Sequence, residues 1–241
     1  MTFTLAFMLG LDPLYFILIG PAMLLALWAQ FKVKSSFAHA AKIAARSGMT
    51  GAQAAEALLW ANGIRNVGIE QTPGQLSDHY DPKRKVLALS PDVFGGRSLA
   101  ALGVAAHEAG HAIQDKEKYA PLVMRNGLVP LASVGGNLSM FVLIGGMVLM
   151  STGALMGKWV FLVGIGLFSI TVIFQLINLP VEFDASNRAK KLLVASGIVA
   201  EDELPEVRRV LSAAAMTYVA ATLAAVLTLV YYIIRAQSSR Q

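Results

Sequence analysis

The fold is decided by residues 128–180, which read LVPLASVGGNLSMFVLIGGMVLMSTGALMGKWVFLVGIGLFSITVIFQLINLP. This stretch is hydrophobic, with a polar break around Lys158. We predict two helices, at about 129–150 and 159–179, joined by a short loop. Each has the roughly 20 residues that a bilayer requires. The stretch therefore predicts a hairpin of two membrane-spanning helices.

Two further apolar segments accompany this hairpin, at 13–31 and at about 211–234. The chain has 241 residues, of which 56% are hydrophobic and only 15% are charged, a composition that favours a membrane protein over a soluble enzyme. The first segment could instead be a signal peptide, but no Lys or Arg precedes Lys32 and residues 28–31 make a poor cleavage site. We therefore predict four transmembrane helices.

The basic residues predict the orientation of these helices. Lys32 and Lys34 directly follow the first span and place its C-terminal end in the cytoplasm. Four spans then put the polar blocks 32–128 and 180–210 on the cytoplasmic side, where they hold 12 and 5 of the 20 Lys and Arg residues. The net charge of +5 is explained by this topology and by attraction to lipid headgroups. It does not indicate a nucleic-acid partner.

The block 32–128 is long enough for a small α+β domain. We expect a short basic helix at 37–47, and a second helix at 52–61 that a capping box of Thr50 and Gln53 opens. Strand-like segments follow at 66–70, 76–80 and 85–90. They predict a short antiparallel sheet, placed against the next helix, whose edge could bind an extended peptide.

The motif His107-Glu108-Ala109-Gly110-His111 lies within residues 98–115, which predict one helix with Ser98 as its N-cap. Two His residues four positions apart share a helix face and can bind one metal ion, beside which Glu108 can hold a water molecule. This is the HExxH pattern of zinc peptidases. The alternative is a pair of surface His without a metal, which the apolar neighbours disfavour. The chain has no Cys, so a metal must be held by His and carboxylate groups.

Two His leave a zinc site short of the usual three protein ligands. The second polar block offers six candidates, Glu182, Asp184, Glu201, Asp202, Glu203 and Glu206. Glu182 is preferred because it lies beside Pro180 at the mouth of the third span, on a helix start that can face the His helix. The alternative is a juxtamembrane charge in contact with lipid headgroups.

Two motifs together identify a family resemblance. The segments AAHEAGHAIQ (105–114) and LPVEFDASNRA (179–189) resemble those of the YugP-type neutral zinc metallopeptidases of bacterial membranes. The segments LSDHYDP (76–82) and TYVAA (217–221) match as well, so the resemblance covers nearly the whole chain.

The resemblance implies that zinc is held by His107, His111 and Glu182. It also implies that Glu108 is the general base. A broader likeness to the HtpX-like membrane peptidases implies an acidic residue four positions after the Glu ligand, where it supports a metal-binding His. This sequence has Ser186 at that position.

Peptide hydrolysis also needs a group that stabilises the carbonyl oxygen as it becomes negative. His79 and Tyr80 are the candidates, because their strand precedes the His helix. Equally, His79 could only form a hydrogen bond across the turn at Asp81-Pro82. Arg188 could orient Glu182 or Asp184. His39 is expected to be an exposed helix residue and not a ligand.

The sequence thus predicts an α-helical integral membrane protein with about four transmembrane helices and a small α+β cytoplasmic zinc-peptidase domain. Its segments are 1–31 (transmembrane helix), 32–128 (catalytic region), 129–179 (transmembrane hairpin), 180–210 (segment with the third ligand) and 211–241 (transmembrane helix and tail). We expect a zinc endopeptidase of the bacterial plasma membrane, acting on membrane or membrane-proximal proteins at the cytoplasmic side. Its expected partners are a protein or peptide substrate and membrane lipid but no nucleic acid, and a homo-oligomer is left open.

Two other functions compete with this hypothesis. A structural zinc site could serve a scaffold or regulator of another protease, although such a site has no need of Glu108. A site-2-type intramembrane protease would carry HExxH inside a transmembrane helix, whereas residues 98–115 contain charged groups and follow a sheet-like block.

Overall fold

The computed structural model describes residues 12–238. In chain order the elements are α1 (Pro13–Ala40), α2 (Gly51–Ala61), β1 (Gly68–Gln71), β2 (His79–Asp81), β3 (Val86–Leu89), α3 (Pro91–Phe94), α4 (Leu99–Lys116), α5 (Ala120–Ser151), α6 (Met156–Ala195) and α7 (Leu204–Ser238). The first 11 residues of the predicted N-terminal segment, and residues 239–241 of the predicted C-terminal segment, lie outside the described residues.

Four of these helices, α1, α5, α6 and α7, are long and apolar enough to cross a membrane. They contain 28, 32, 40 and 35 residues, more than the roughly 20 that a bilayer requires. Many of their large apolar side chains are exposed, among them Phe31, Phe141 and Trp159. Such exposure is unfavourable in water and suits contact with lipid. The prediction of four helices of transmembrane type is confirmed.

The third long helix does not end where the sequence suggested. Helix α6 continues through Pro180 to Ala195, so Glu182 lies inside a helix and not at a helix start. A proline removes one backbone donor, but contacts with neighbouring elements can sustain a helix around it. The continuation carries Glu182 and the polar residues after it on the same helix as the apolar span.

The predicted short helix at 37–47 is wrong. Helix α1 continues to Ala40, and residues 41–47 form turns. Within these turns Ala44 pairs with Ser98 in an isolated antiparallel bridge. The segment therefore meets the start of α4 through its backbone. Helix α2 and its capping box are confirmed, with Thr50 and Gln53 each accepting from the other's backbone N–H.

The chain folds into two compact units. Within the described residues, the first unit consists of 12–28, 124–178 and 218–238, and the second of 29–123 and 179–217. In the first unit α5 and α6 approach closely at Gly146. A Cβ atom added to this residue would lie only 2.5 Å from the backbone nitrogen of Phe161. The lack of a side chain at Gly146 therefore allows the two helices to pack closely.

The sheet of the second unit has the order β1-β3-β2. Strand β2 pairs with β3 in antiparallel fashion, with Tyr80 opposite Leu87, as the hairpin predicts. Strand β1 pairs with β3 in parallel, with Ile69 opposite Leu87, so the prediction of a purely antiparallel sheet is wrong. The hairpin of β2 and β3 leaves the other edge of β3 unpaired. Because residues 72–78 connect β1 to β2, β1 can pair with this edge and run in the same direction as β3.

The two polar blocks of the sequence share the core of the second unit. Leu58 of α2, Leu87 of β3 and Leu102 of α4 are fully buried in the same cluster as Leu193 and Val207 from the second block. Burial of these side chains stabilises the contact by about 25 cal/mol per Å² of apolar surface removed from water. The core therefore holds the C-terminal part of α6 against α4.

Candidate metal centre

Helix α4 carries the HExxH motif. The Ser98 side chain accepts a hydrogen bond from the Ala101 N–H at 3.2 Å and caps the first turn, as predicted. Most residues of α4 are buried, which requires small side chains where another helix passes. At Gly110 a Cβ would lie 2.8 Å from the carbonyl oxygen of Ala185. Glycine in the motif thus allows α4 and α6 to meet beside His111.

This contact brings the three predicted metal ligands together. Glu182 Oε2 lies 3.3 Å from His107 Nε2 and 3.7 Å from His111 Nε2. One ligand atom from each residue falls within 4.8 Å of the others. Zinc bonds of 2.0–2.2 Å in a tetrahedron place ligand atoms about 3.4 Å apart. The cluster therefore fits a zinc ion, and two imidazoles with one carboxylate are a donor set that zinc prefers.

The second ring nitrogen of each imidazole has a protein partner. Ser186 Oγ lies 3.1 Å from His107 Nδ1, and Gln114 Oε1 lies 3.0 Å from His111 Nδ1. Both Nε2 atoms consequently face Glu182. Hydrogen bonds of this kind orient metal-binding His rings and fix their tautomers. Ser186 takes the position where the resemblance to HtpX-like peptidases implied an acid, and a neutral hydroxyl supports the ring there.

Glu108 is buried next to this cluster. Burial is the main cause that raises the pKa of the Glu108 carboxyl, to about 7. The nearby His107 and His79 lower this pKa, whereas the negative charges of Glu182 and Asp78 raise it. A carboxyl with a pKa near neutrality is suited to accept and return a proton. The raised pKa makes Glu108 a candidate for proton transfer beside the three ligands.

The two candidates for stabilising the carbonyl oxygen differ in their surroundings. The buried Tyr80 hydroxyl donates a 2.6 Å hydrogen bond to Asp115, and burial followed by this bond raises the Tyr80 pKa. His79 is exposed, with Nδ1 2.9 Å from the carbonyl oxygen of Ser77. It does not bridge the following turn, where Asp81 instead accepts from two backbone N–H groups. Among residues 12–238 no hydrogen bond involves the other ring nitrogen of His79, whereas the Tyr80 hydroxyl already bonds to Asp115 within the fold.

The remaining polar candidates lie outside the cluster. Arg188 donates to Asp184 at 2.5 Å and to Glu117 at 2.6 Å, so it orients Asp184 and not Glu182. The acidic residues of the run 201–206 contact other groups. Asp202 forms an ion pair with Arg46, and Glu203 accepts hydrogen bonds from the backbone N–H groups of Arg46 and Ala200. Glu206 lies near His39 and Arg209. His39 is an exposed helix residue, as expected.

Gln114 and its contact with His111 were not anticipated from the sequence. A buried Gln one turn after a metal-binding His is the signal that could have found it. Gln114 also donates to the carbonyl oxygen of Val181 and to Asp184, both on α6. The Gln side chain thus connects the two helices that carry the ligands.

Within residues 12–238, the fold and the site define a class of protein: four helices of transmembrane type accompany an HExxH helix that meets a distant glutamate, and the three side chains could hold a metal ion. The family model described as "Putative neutral zinc metallopeptidase" matches residues 15–237, and the chain belongs to this family. It is 45% identical over 222 residues to the "Putative membrane protease YugP" of Bacillus subtilis (strain 168), covering 91% of this chain and 95% of that protein. No solved structure matches the chain. The resemblance predicted from the sequence is confirmed.

Proposed function

We propose that the protein is a membrane-embedded zinc endopeptidase. The observation that carries this proposal is the convergence of His107, His111 and Glu182 beside a buried carboxyl, Glu108. A structural zinc site is usually closed by four protein ligands, whereas a catalytic site has three and keeps one position open. The cluster has three, which favours catalysis over a scaffold role.

The chain's own residues then divide the work of peptide hydrolysis. His107, His111 and Glu182 would hold a zinc ion, which would act as a Lewis acid to polarise a carbonyl group and acidify a water molecule. Glu108 accepts the proton of the attacking water and returns it to the leaving amine. We assign to His79 the hydrogen bond that stabilises the carbonyl oxygen as its negative charge develops. Ser186 and Gln114 keep the two imidazoles in position.

The substrate is proposed to be an extended segment of a membrane or membrane-proximal protein. Strand β2, which carries His79, is an edge strand of the sheet, and an extended peptide can bind such an edge by backbone hydrogen bonds. The four long apolar helices would hold the enzyme in the bilayer, in contact with lipid. Proteins in the same membrane would thereby be concentrated near the site. No feature of the proposal calls for nucleic acid.

The active site is proposed to face the cytoplasm of a bacterial cell. The positive-inside rule supports this orientation, because 17 of the 20 Lys and Arg residues (12 + 5) fall in the blocks 32–128 and 180–210. Nearly all of both blocks belongs to the second unit, which supports a shared side.

The decisive experiment compares the purified wild type with Glu108→Gln in detergent. Bound zinc and cleavage of casein or a membrane protein are both measured. We expect the variant to keep its zinc and to lose at least 100-fold in cleavage rate, since a general base contributes about 10²–10⁴-fold. Equal cleavage by both proteins would contradict the peptidase proposal. Zinc binding without cleavage by the wild type would favour the scaffold function.

The ligand assignment has its own test. We expect Glu182→Ala to lose its zinc at a low concentration of free zinc, because only two of the three protein ligands, the imidazoles, would remain. Glu201→Ala is the matched control, since Glu201 is an exposed acid of the same block. Full zinc retention by Glu182→Ala would remove Glu182 from the ligand set.

A further inference from the structure

Gln114 is a fully buried polar side chain with three hydrogen-bond contacts. Its Oε1 lies 3.0 Å from His111 Nδ1. Its Nε2 donates to the carbonyl oxygen of Val181 at 2.9 Å and to Asp184 Oδ2 at 2.8 Å. Burial of an amide is costly unless its donors and acceptor are used, and here all of them are.

The two acceptors on α6 decide which way the amide points. A carbonyl oxygen and a carboxylate can only accept, so the NH₂ end of Gln114 must face Val181 and Asp184. A flipped amide would oppose oxygen to oxygen at both contacts. The Oε1 end must therefore face His111, and an oxygen there requires a hydrogen on His111 Nδ1. The other ring nitrogen, Nε2, then carries the lone pair and points toward Glu182.

We propose that Gln114 is the positioning residue of the second metal ligand, and that Asp184 sets its orientation. In this arrangement the amide selects the His111 tautomer that can bind a metal through Nε2. The inference rests on the proposed zinc peptidase, because it concerns how that site is built.

Asp184 is itself held by a charged neighbour, Arg188. The Arg188 guanidinium donates to Asp184 and to Glu117, so the carboxylate that orients Gln114 is fixed between α4 and α6. Hydrogen bonds arranged in a chain polarise one another. The neutral amide can thus pass part of the Asp184 charge to His111, which strengthens His111 as a ligand without placing a carboxylate directly against the ring.

The other imidazole has a less restrictive partner. Ser186 lies 3.1 Å from His107 Nδ1, and its hydroxyl can rotate to donate or to accept. It can support either tautomer of His107, whereas Gln114 can support only one tautomer of His111. We therefore expect zinc affinity to depend more on Gln114 than on Ser186.

The first experiment measures the zinc dissociation constant of the full-length protein in detergent by competition with a chromophoric chelator. We expect Gln114→Leu, which keeps the volume and removes the hydrogen bonds, to weaken zinc binding about 10–100-fold. Ser186→Ala should weaken it less. Tyr80→Phe is the matched control, because it removes a hydrogen bond to Asp115 on the same helix and should leave zinc affinity unchanged.

The second experiment exchanges the donor and the acceptor. Gln114→Glu alone opposes two carboxylates and should weaken zinc binding. Adding Asp184→Asn supplies an NH₂ group to the new carboxylate and removes this repulsion, so the carboxylate is held in place with one oxygen accepting from His111. We expect the double variant to bind zinc at least tenfold more tightly than Gln114→Glu. Because this comparison looks for a gain of affinity, loss of folding cannot imitate the expected result.

The two levels of the proposal fail in different ways. A wild type that binds no zinc contradicts the proposed function. A wild type that binds zinc, together with Gln114→Leu of unchanged affinity, overturns only the role of Gln114. A double variant no better than Gln114→Glu overturns the role of Asp184 in setting the amide.

Discussion

At the scale of single residues, the neighbouring side chains of His79 and Tyr80 on β2 are assigned different roles. Successive residues of a strand face opposite sides, and β2 presents His79 outward and Tyr80 inward. The inward hydroxyl reaches Asp115, which also pairs with Lys85. The outward imidazole is free to approach a substrate. The alternation of the strand thus separates a structural group from a candidate for the chemistry.

Tyr80→Phe is predicted to lower stability and to spare activity. Loss of the hydrogen bond to the Asp115 carboxylate should cost about 1.5 kcal/mol, the lower part of the range for bonds to charged groups. This corresponds to a fall of about 3–6 °C in the thermal unfolding midpoint for a chain of this size. Thermal unfolding in detergent and the peptidase rate are the two measurements.

His79→Ala should behave in the opposite way. The exposed ring contributes little to packing, so the midpoint should stay the same, while cleavage falls by about 10²-fold or more if the ring stabilises the developing oxyanion. If Tyr80→Phe lost about 10²-fold in cleavage rate while His79→Ala stayed active, Tyr80 would be assigned to the oxyanion and His79 to the fold.

Spacing within one helix predicted part of the site, and contacts between helices supplied the rest. His107 and His111 are four residues apart, so any helix places them together. Gln114 and Ser186 contact the same rings from elements that only the fold brings together. Glu182 was selected from six acids by its place beside a membrane span. The structure brings Glu182 to the two imidazoles because α6 continues through Pro180, which the sequence did not predict.

At the scale of elements, the contact between α4 and α6 sets the spacing of the three candidate metal ligands. Gly110 lies between Glu108 and His111, and it faces Ala185, which lies between Glu182 and Ser186. A side chain at this crossing must push the ligand helices apart. The spacing of the helices is therefore part of the site's geometry.

Gly110→Ala is predicted to weaken zinc binding. Its methyl group would lie 2.8 Å from the carbonyl oxygen of Ala185, a backbone atom that cannot rotate away. Overpacking of this kind costs about 1–3 kcal/mol, against roughly 1 kcal/mol gained from the helix propensity of Ala. Zinc affinity by chelator competition and the thermal midpoint measure the effect.

Gly103→Ala provides the control on the same helix. Its methyl group would meet Cγ1 of Val207 at 3.0 Å, a side-chain atom that can move. We expect little change in zinc affinity and a thermal midpoint above that of Gly110→Ala. Unchanged zinc affinity in Gly110→Ala would show that the approach of α4 to α6 does not control the site.

Hydrophobicity predicted the long helices but neither their ends nor the sheet order. Candidate membrane spans are recognised by apolar length alone, and this identified the four long apolar helices found within residues 12–238. The helices continue past the apolar segments because packing in the second unit sustains them, as α6 shows up to Ala195. The parallel pairing of β1 with β3 joins strands that are not consecutive in the chain. The local alternation of apolar and polar residues cannot predict which distant strands pair.

At the scale of the whole molecule, two polar blocks separated by a helical hairpin must meet. His107 and His111 precede α5, and Glu182 follows the apolar part of α6. Two crossings return the chain to the side that it left, so an even number of spans is a condition for the metal centre. The positive charge of both blocks supports the proposal that this side is the cytoplasm.

The absence of Cys from the sequence makes this topology directly measurable. We expect Thr152→Cys, in the exposed turn between α5 and α6, to react with a membrane-impermeant maleimide in intact cells. Lys83→Cys and Glu201→Cys, at exposed positions of the two polar blocks, should react only after permeabilisation. Labelling of Lys83→Cys and Glu201→Cys from opposite sides would contradict the shared site. Labelling of both from outside would keep the site and reverse its orientation, which would place the proteolysis on the outer face of the membrane.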